Sequence, residues 1–162
     1  MKKNADVTAL WAMFACIAVT AVFIFRCGWN WYALRCVLLC TILIMAGACD
    51  AATYEIPNRF PVAVCLVGLI GFHPLPALAG LLLVSLPLLI PAVMAEGKIG
   101  GGDVKLMAAS GFALGVTSGF TMLLWGLFTA LLWNTAFGKG QKSLPLAPFF
   151  AFGCSMALLL KT

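Results

Sequence analysis

The sequence predicts an all-α fold: a polytopic transmembrane helix bundle of about six to seven spans. Three observations carry that reading. Of 162 residues, 64% are hydrophobic and only 9% charged, against roughly a quarter charged in a soluble domain, so too few polar groups exist to cover a water-facing surface. The apolar residues run in blocks, most of which approach the roughly 20 residues a helix needs to cross hydrocarbon. Pro57, Pro61, Pro74, Pro76, Pro145 and Pro148 punctuate the connections between blocks, where residues that end or begin helices belong.

The elements follow in order. Residues 7–25 come after Met1-Lys2-Lys3 and could pass for a secretory signal. The block is longer than an h-region of about 7–15 residues and is followed by Ile24-Phe25-Arg26-Cys27 rather than a small-x-small cleavage site. It is expected to be a retained first span. Trp29, Trp31 and Tyr32 then form an interfacial aromatic anchor ahead of the second span, 33–50. A short third span, 60–72, lies between Pro57 and Pro74, and the fourth, 76–95, carries Pro87, which is expected to kink it. The fifth and sixth spans are expected over 103–116 and 118–137. Pro145 and Pro148 open the last, 146–160. The seven cysteines include no C-x-x-C pair and sit mostly inside apolar blocks, where Cys packs as a small hydrophobe. No metal or cofactor is expected.

Orientation follows from the basic residues. With the N-terminus inside, the cytoplasmic segments hold Lys2, Lys3, Arg59, Lys98, Lys105, Lys139 and Lys142, against Arg26, Arg35 and Lys161 outside. The net charge of +5 is thus read against the membrane; no nucleic-acid partner is expected.

The same topology sorts the five acids. Asp6 and Glu55 belong to solvated segments, and Glu96 is a surface charge near Lys98. Asp50 closes the second span and Asp103 opens the fifth. Two spans separate them, so both fall at the cytoplasmic edge. Ionisable groups at the edge of hydrocarbon are functional candidates by default. Two adjacent carboxyls do not both ionise readily, which yields one general base and one general acid. The plainer reading of either residue alone is a helix-end cap or a partner for Lys or Arg. Asp103 stands at a helix N-terminus and Asp50 near a C-terminus, so the macrodipoles predict Asp103 as the ionised base and Asp50 as the protonated acid. His73, the only histidine, falls on the opposite face, and Ser85 and Ser110 lack any base within the expected site.

The flanking residues sharpen this pair. Asp50 precedes Ile56-Pro57-Asn58, Asp103 lies in Gly100-Gly101-Gly102-Asp103-Val104-Lys105-Leu106, and Leu144 to Gly153 form a Pro/Phe-rich end. Over about Asp50 to Gly153 the chain resembles the type IV prepilin peptidase family of GxGD aspartic peptidases, particularly its short, CpaA/TadV-like members. The resemblance implies a single membrane-embedded peptidase domain over 1–162, with 1–32 an extra N-terminal span and 33–160 the catalytic core. It implies an endopeptidase of the bacterial inner membrane that removes the basic leader from prepilins or pseudopilins at the cytoplasmic face. Asp50 and Asp103 match the two catalytic aspartates. Gly100 and Gly102 match the motif glycines; Pro57, Asn58 and Lys105 join them as residues of the substrate approach. Pilus or secretion assembly proteins are implied partners alongside the lipid bilayer. The paired C-x-x-C insertion of long members is absent, and their N-methylation is not carried over. Two other classes compete: a small transporter or channel subunit using Asp50 and Asp103 for ions or protons, and an inactive scaffold for pilus assembly.

Overall fold

Apolar blocks and proline breaks resolve, in a computed structural model, into α-helices joined by short connections. Residues 2–27, 30–71, 73–94, 100–137 and 145–161 are described. They form α1 (Lys2–Cys27), α2 (Trp31–Thr53), α3 (Arg59–Gly68), α4 (Pro74–Met94), α5 (Gly101–Phe137) and α6 (Ala147–Lys161), with no strand among the described residues. α2, α4 and the Gly101–Ala136 stretch of α5 are long and apolar enough to cross a bilayer, and the chain is a membrane protein. Leu82, Leu89 and Leu131 stand exposed on these helices, as side chains facing lipid do. Trp29, Glu96, Lys98, Lys139 and Lys142 lie outside the described residues.

α5 departs from the expected pair of spans. The break foreseen at residue 117 falls instead at Gly115, whose φ of 78° and ψ of −177° interrupt the helix. With φ positive and ψ extended, this backbone conformation is essentially open to glycine alone. A Cβ at Gly119 would stand 3.5 Å from Gly111 Cα, whereas eight residues of continuous helix cover about 12 Å. The chain therefore reverses at Gly115, and α5 is a helical hairpin with arms 101–114 and 116–137. The third expected span is also shorter than 60–72: α3 ends at Gly68, and Leu69 to Gly71 turn toward α4. α4 runs on through Pro87 and Pro91.

Contact between the arms and α4 depends on missing side chains. A Cβ at Gly80 would fall 2.1 Å from the Gly111 carbonyl oxygen, so only glycine lets these backbones meet. Small residues allow such approach where lipid offers no hydrophobic drive. The core lies between α2, α5 and α6, around Leu39, Leu43, Leu106, Met107, Met122 and Phe150. On α2 the buried stripe runs Cys36, Leu39, Cys40, Leu43, Ala46, Gly47, Asp50, the spacing of one helical face. Asp50 is thus carried into the interior by the pattern that buries its apolar neighbours. Cys36, Cys40 and Cys154 are buried free thiols, packed in that core.

The two ends of the bundle differ in chemistry. A cavity of about 210 Å³ at one end gathers Arg35, Gly68, His73, Pro76, Gly115 and Lys161. Arg35 donates Nη2 to the Ala113 carbonyl and, at 3.5 Å, to the Gly68 carbonyl. It thereby meets the last turns of α3 and the first α5 arm, where the helix dipole favours a cation. Asp50, Asp103 and their motifs lie at the other end.

Candidate active site

Asp50 sits in the last turn of α2, 5% exposed. Its carbonyl accepts the Tyr54 N–H at 2.8 Å, and Tyr54 closes the helix in the left-handed region with φ 56°. That stop turns the chain into Glu55-Ile56-Pro57-Asn58. The Asp50 side chain meets a different helix: the Ala147 N–H donates to Oδ2 at 3.1 Å. Ala147 is the first residue of α6, whose leading amides have no partner within their own helix. The approach of α6 rests on Gly47, one turn before Asp50, where a Cβ would lie 2.8 Å from Pro148 Cα and 2.9 Å from Pro148 N.

Asp103 stands in the first turn of α5, 8% exposed. Gly100 starts that helix, its carbonyl accepting the N–H groups of Asp103 at 3.1 Å and Val104 at 3.4 Å. Asp103 Oδ1 is buried and has no hydrogen-bond partner among the described residues. A buried polar atom in that condition is uncommon and marks a candidate functional group. The Asp50 and Asp103 carboxyls lie within direct electrostatic reach of each other. Two negative charges so placed in a low-dielectric setting oppose one another.

The remaining predicted residues tie the two segments together. A Cβ on Gly102 would lie 3.0 Å from Ile56 Cβ, so the glycine motif seats the Ile-Pro-Asn segment. Lys105 Nζ donates to Asn58 Oδ1 at 3.2 Å, across 47 positions of sequence. Pro57 is half-buried, and its carbonyl accepts the Phe60 N–H at 3.1 Å to start α3. Gly100 is close to the acid itself, since a Cβ there would stand 3.2 Å from Asp103 Oδ2, whereas a Cβ on Gly101 would meet nothing within 4 Å. His73 is exposed and lines the cavity at the far end. Among the described residues, no cluster of His, Cys, Asp and Glu is arranged to hold a metal ion.

Gly47 and Ala147 escaped the sequence reading. Gly47 looked like one small residue of an apolar block, although it stands three positions before Asp50 on the same helical face. Pro145 and Pro148 marked where a helix begins at the aspartates' end of the topology, but nothing in the sequence pointed that helix at Asp50.

The chain was compared with known proteins on this footing. No curated protein and no solved structure matches it. The model of the type IV leader peptidase family matches residues 37–135, well over half of the chain. That stretch contains Asp50, the Ile-Pro-Asn segment and the whole glycine motif. The chain belongs to the type IV leader peptidase family.

Proposed function

We propose that the protein is an aspartic endopeptidase that cleaves the basic leader from prepilin-like substrates at the cytoplasmic face of a bacterial inner membrane, with Asp50 and Asp103 as its catalytic pair. One observation carries this reading: the two motif segments converge at one end of the bundle. Asp50 and Asp103 interact electrostatically, Ile56 rests on Gly102, and Lys105 holds Asn58. The catalytic unit is the bundle over 33–160, with α1 an added span packed on α2.

The chemistry needs one carboxylate and one carboxylic acid. The carboxylate takes a proton from water as the water oxygen bonds to the scissile carbonyl carbon, and the acid gives its proton to the carbonyl oxygen. Collapse of the tetrahedral intermediate breaks the C–N bond. The first carboxyl then protonates the departing nitrogen, and the second recovers its proton from the intermediate. Asp103 Oδ1, without a partner among the described residues, is suited to contact with water or the scissile carbonyl.

Substrate access fits the same reading. A peptide bond inside a helix is shielded, but the leader–helix junction of a membrane-anchored substrate is extended and lies at the interface. An apolar groove of about 350 Å³ includes Gly47, Ala51 and Pro148, immediately beside Asp50 and Ala147. It suits a substrate helix arriving through the lipid.

The test is co-expression with a prepilin-like substrate, following leader removal by the shift in substrate mass. Wild type is expected to cleave, while Asp50→Asn and Asp103→Asn each lose at least about a hundredfold in rate, in the range of general acid–base contributions. Cleavage that survives either substitution removes the paired mechanism. A wild type that cleaves no such substrate returns the aspartates to the transporter or scaffold readings.

A further inference from the structure

The first turn of α6 lies outside the residues matched by the family model, yet it touches Asp50. Sequence reasoning weighed each aspartate against its own helix and placed Asp50 at an unfavourable C-terminus. The folded chain adds a third helix end. Asp103 stands in the first turn of α5, and the Asp50 side chain meets the first turn of α6. Both carboxyls now face a helix N-terminus, so the dipole no longer separates them. Hydrogen bonding does. Asp50 Oδ2 accepts a backbone N–H at 3.1 Å, while Asp103 Oδ1 has no partner among the described residues.

Resting on the peptidase reading above, we infer that the Ala147 backbone amide is a positioning group that holds Asp50 as the ionised base, leaving Asp103 to carry the proton. This reverses the assignment expected from sequence. An amide donor stabilises a carboxylate about twice as strongly as a neutral acceptor. The device has a seat: Gly47 admits Pro148 to within 2.8 Å of where its Cβ would be, bringing the α6 amides against α2. In the hydrolytic step Asp50 takes the water proton and later gives it to the departing nitrogen. Asp103 protonates the carbonyl oxygen and recovers its proton on collapse.

The donor is a backbone group, so the decisive change is at the backbone. Incorporating lactic acid at position 147 converts the Leu146–Ala147 amide to an ester, replacing N–H by oxygen while keeping the methyl group. With a prepilin-like peptide as substrate, the ester protein is expected to lose about 10- to 100-fold in kcat with KM within about twofold, the range of a hydrogen bond to a charged group. An ester protein within threefold of wild type overturns the inference, as does a loss confined to KM.

Gly47→Ala gives an independent reading if the ester protein does not fold. Its methyl group displaces the α6 backbone, and a fall in kcat is expected; full kcat overturns the inference. Wild type that cleaves nothing removes the peptidase reading itself, whereas wild type and ester protein cleaving alike removes only the assignment made here.

Discussion

At the scale of single residues, the glycine motif separates into positions with different physical duties. Gly102 is pinned by Ile56, whose Cβ would sit 3.0 Å from an added methyl group. Real Cβ contacts are seldom that close, and because the neighbour is itself a Cβ, turning a side chain does not relieve it. A Cβ added at Gly100 would stand 3.2 Å from Asp103 Oδ2, a group that can rotate away at some cost to its position. Gly101 faces open space. The spacing G-x-G-D therefore has a physical origin, with the middle position free. Gly101→Ala is expected to retain cleavage within about twofold, while Gly102→Ala loses about tenfold or more, consistent with the sensitivity of catalysis to small misplacements. Parallel rate measurements on the two variants check this. Equal effects would mean that the motif works through flexibility rather than through the space its glycines leave.

At the scale of elements, the helix ends are fixed by groups that no local pattern announces. Arg35 is the clearest case. From sequence it was one of three basic residues assigned to the outer side; in the fold its guanidinium meets the final carbonyls of α3 and of the first α5 arm. That arm carries Asp103 in its first turn, so its far end bears on how the acid is held. Hydrogen bonds from a charged donor contribute about 1.5–3 kcal/mol. Arg35→Ala is therefore expected to lower stability in detergent by about 1–3 kcal/mol, measured by denaturant titration of helicity. Arg35→Lys should recover only part of this, because an ammonium group cannot reproduce the planar fork of donors. A lysine variant as stable as wild type would show that charge alone suffices there.

At the scale of the whole molecule, the features legible in sequence were those that composition and period determine. Scarcity of charge required a membrane protein, and proline placement marked most connections. The α2 stripe that ends at Asp50 follows helical spacing, and counting spans put Asp50 and Asp103 at one end before any geometry was known. What stayed hidden depends on contacts between distant positions. Ala147 is 97 residues from the carboxyl group it bonds, and Gly47 is one small residue of an apolar block until Pro148 is laid against it. The reversal at Gly115 was missed by two residues because apolar residues flank it on both sides and only its φ and ψ reveal it. The end-to-end arrangement carries a last prediction. Glu55 is exposed near the acidic end, and His73 is exposed at the opposite end beside Arg35 and Lys161. Under the proposed function the aspartates' end faces the cytoplasm, the orientation expected from the distribution of Lys and Arg in the sequence. Buried Cys36, Cys40 and Cys154 should not react with a membrane-impermeant maleimide, and the other cysteines can be replaced by serine. In that background His73→Cys is expected to label in intact cells, and Glu55→Cys only after the inner membrane is permeabilised. The opposite pattern would invert the orientation and place the aspartates outside. Labelling of both from one side would break the span count that brings Asp50 and Asp103 together, and with it the reason to expect leader cleavage at the cytoplasmic face.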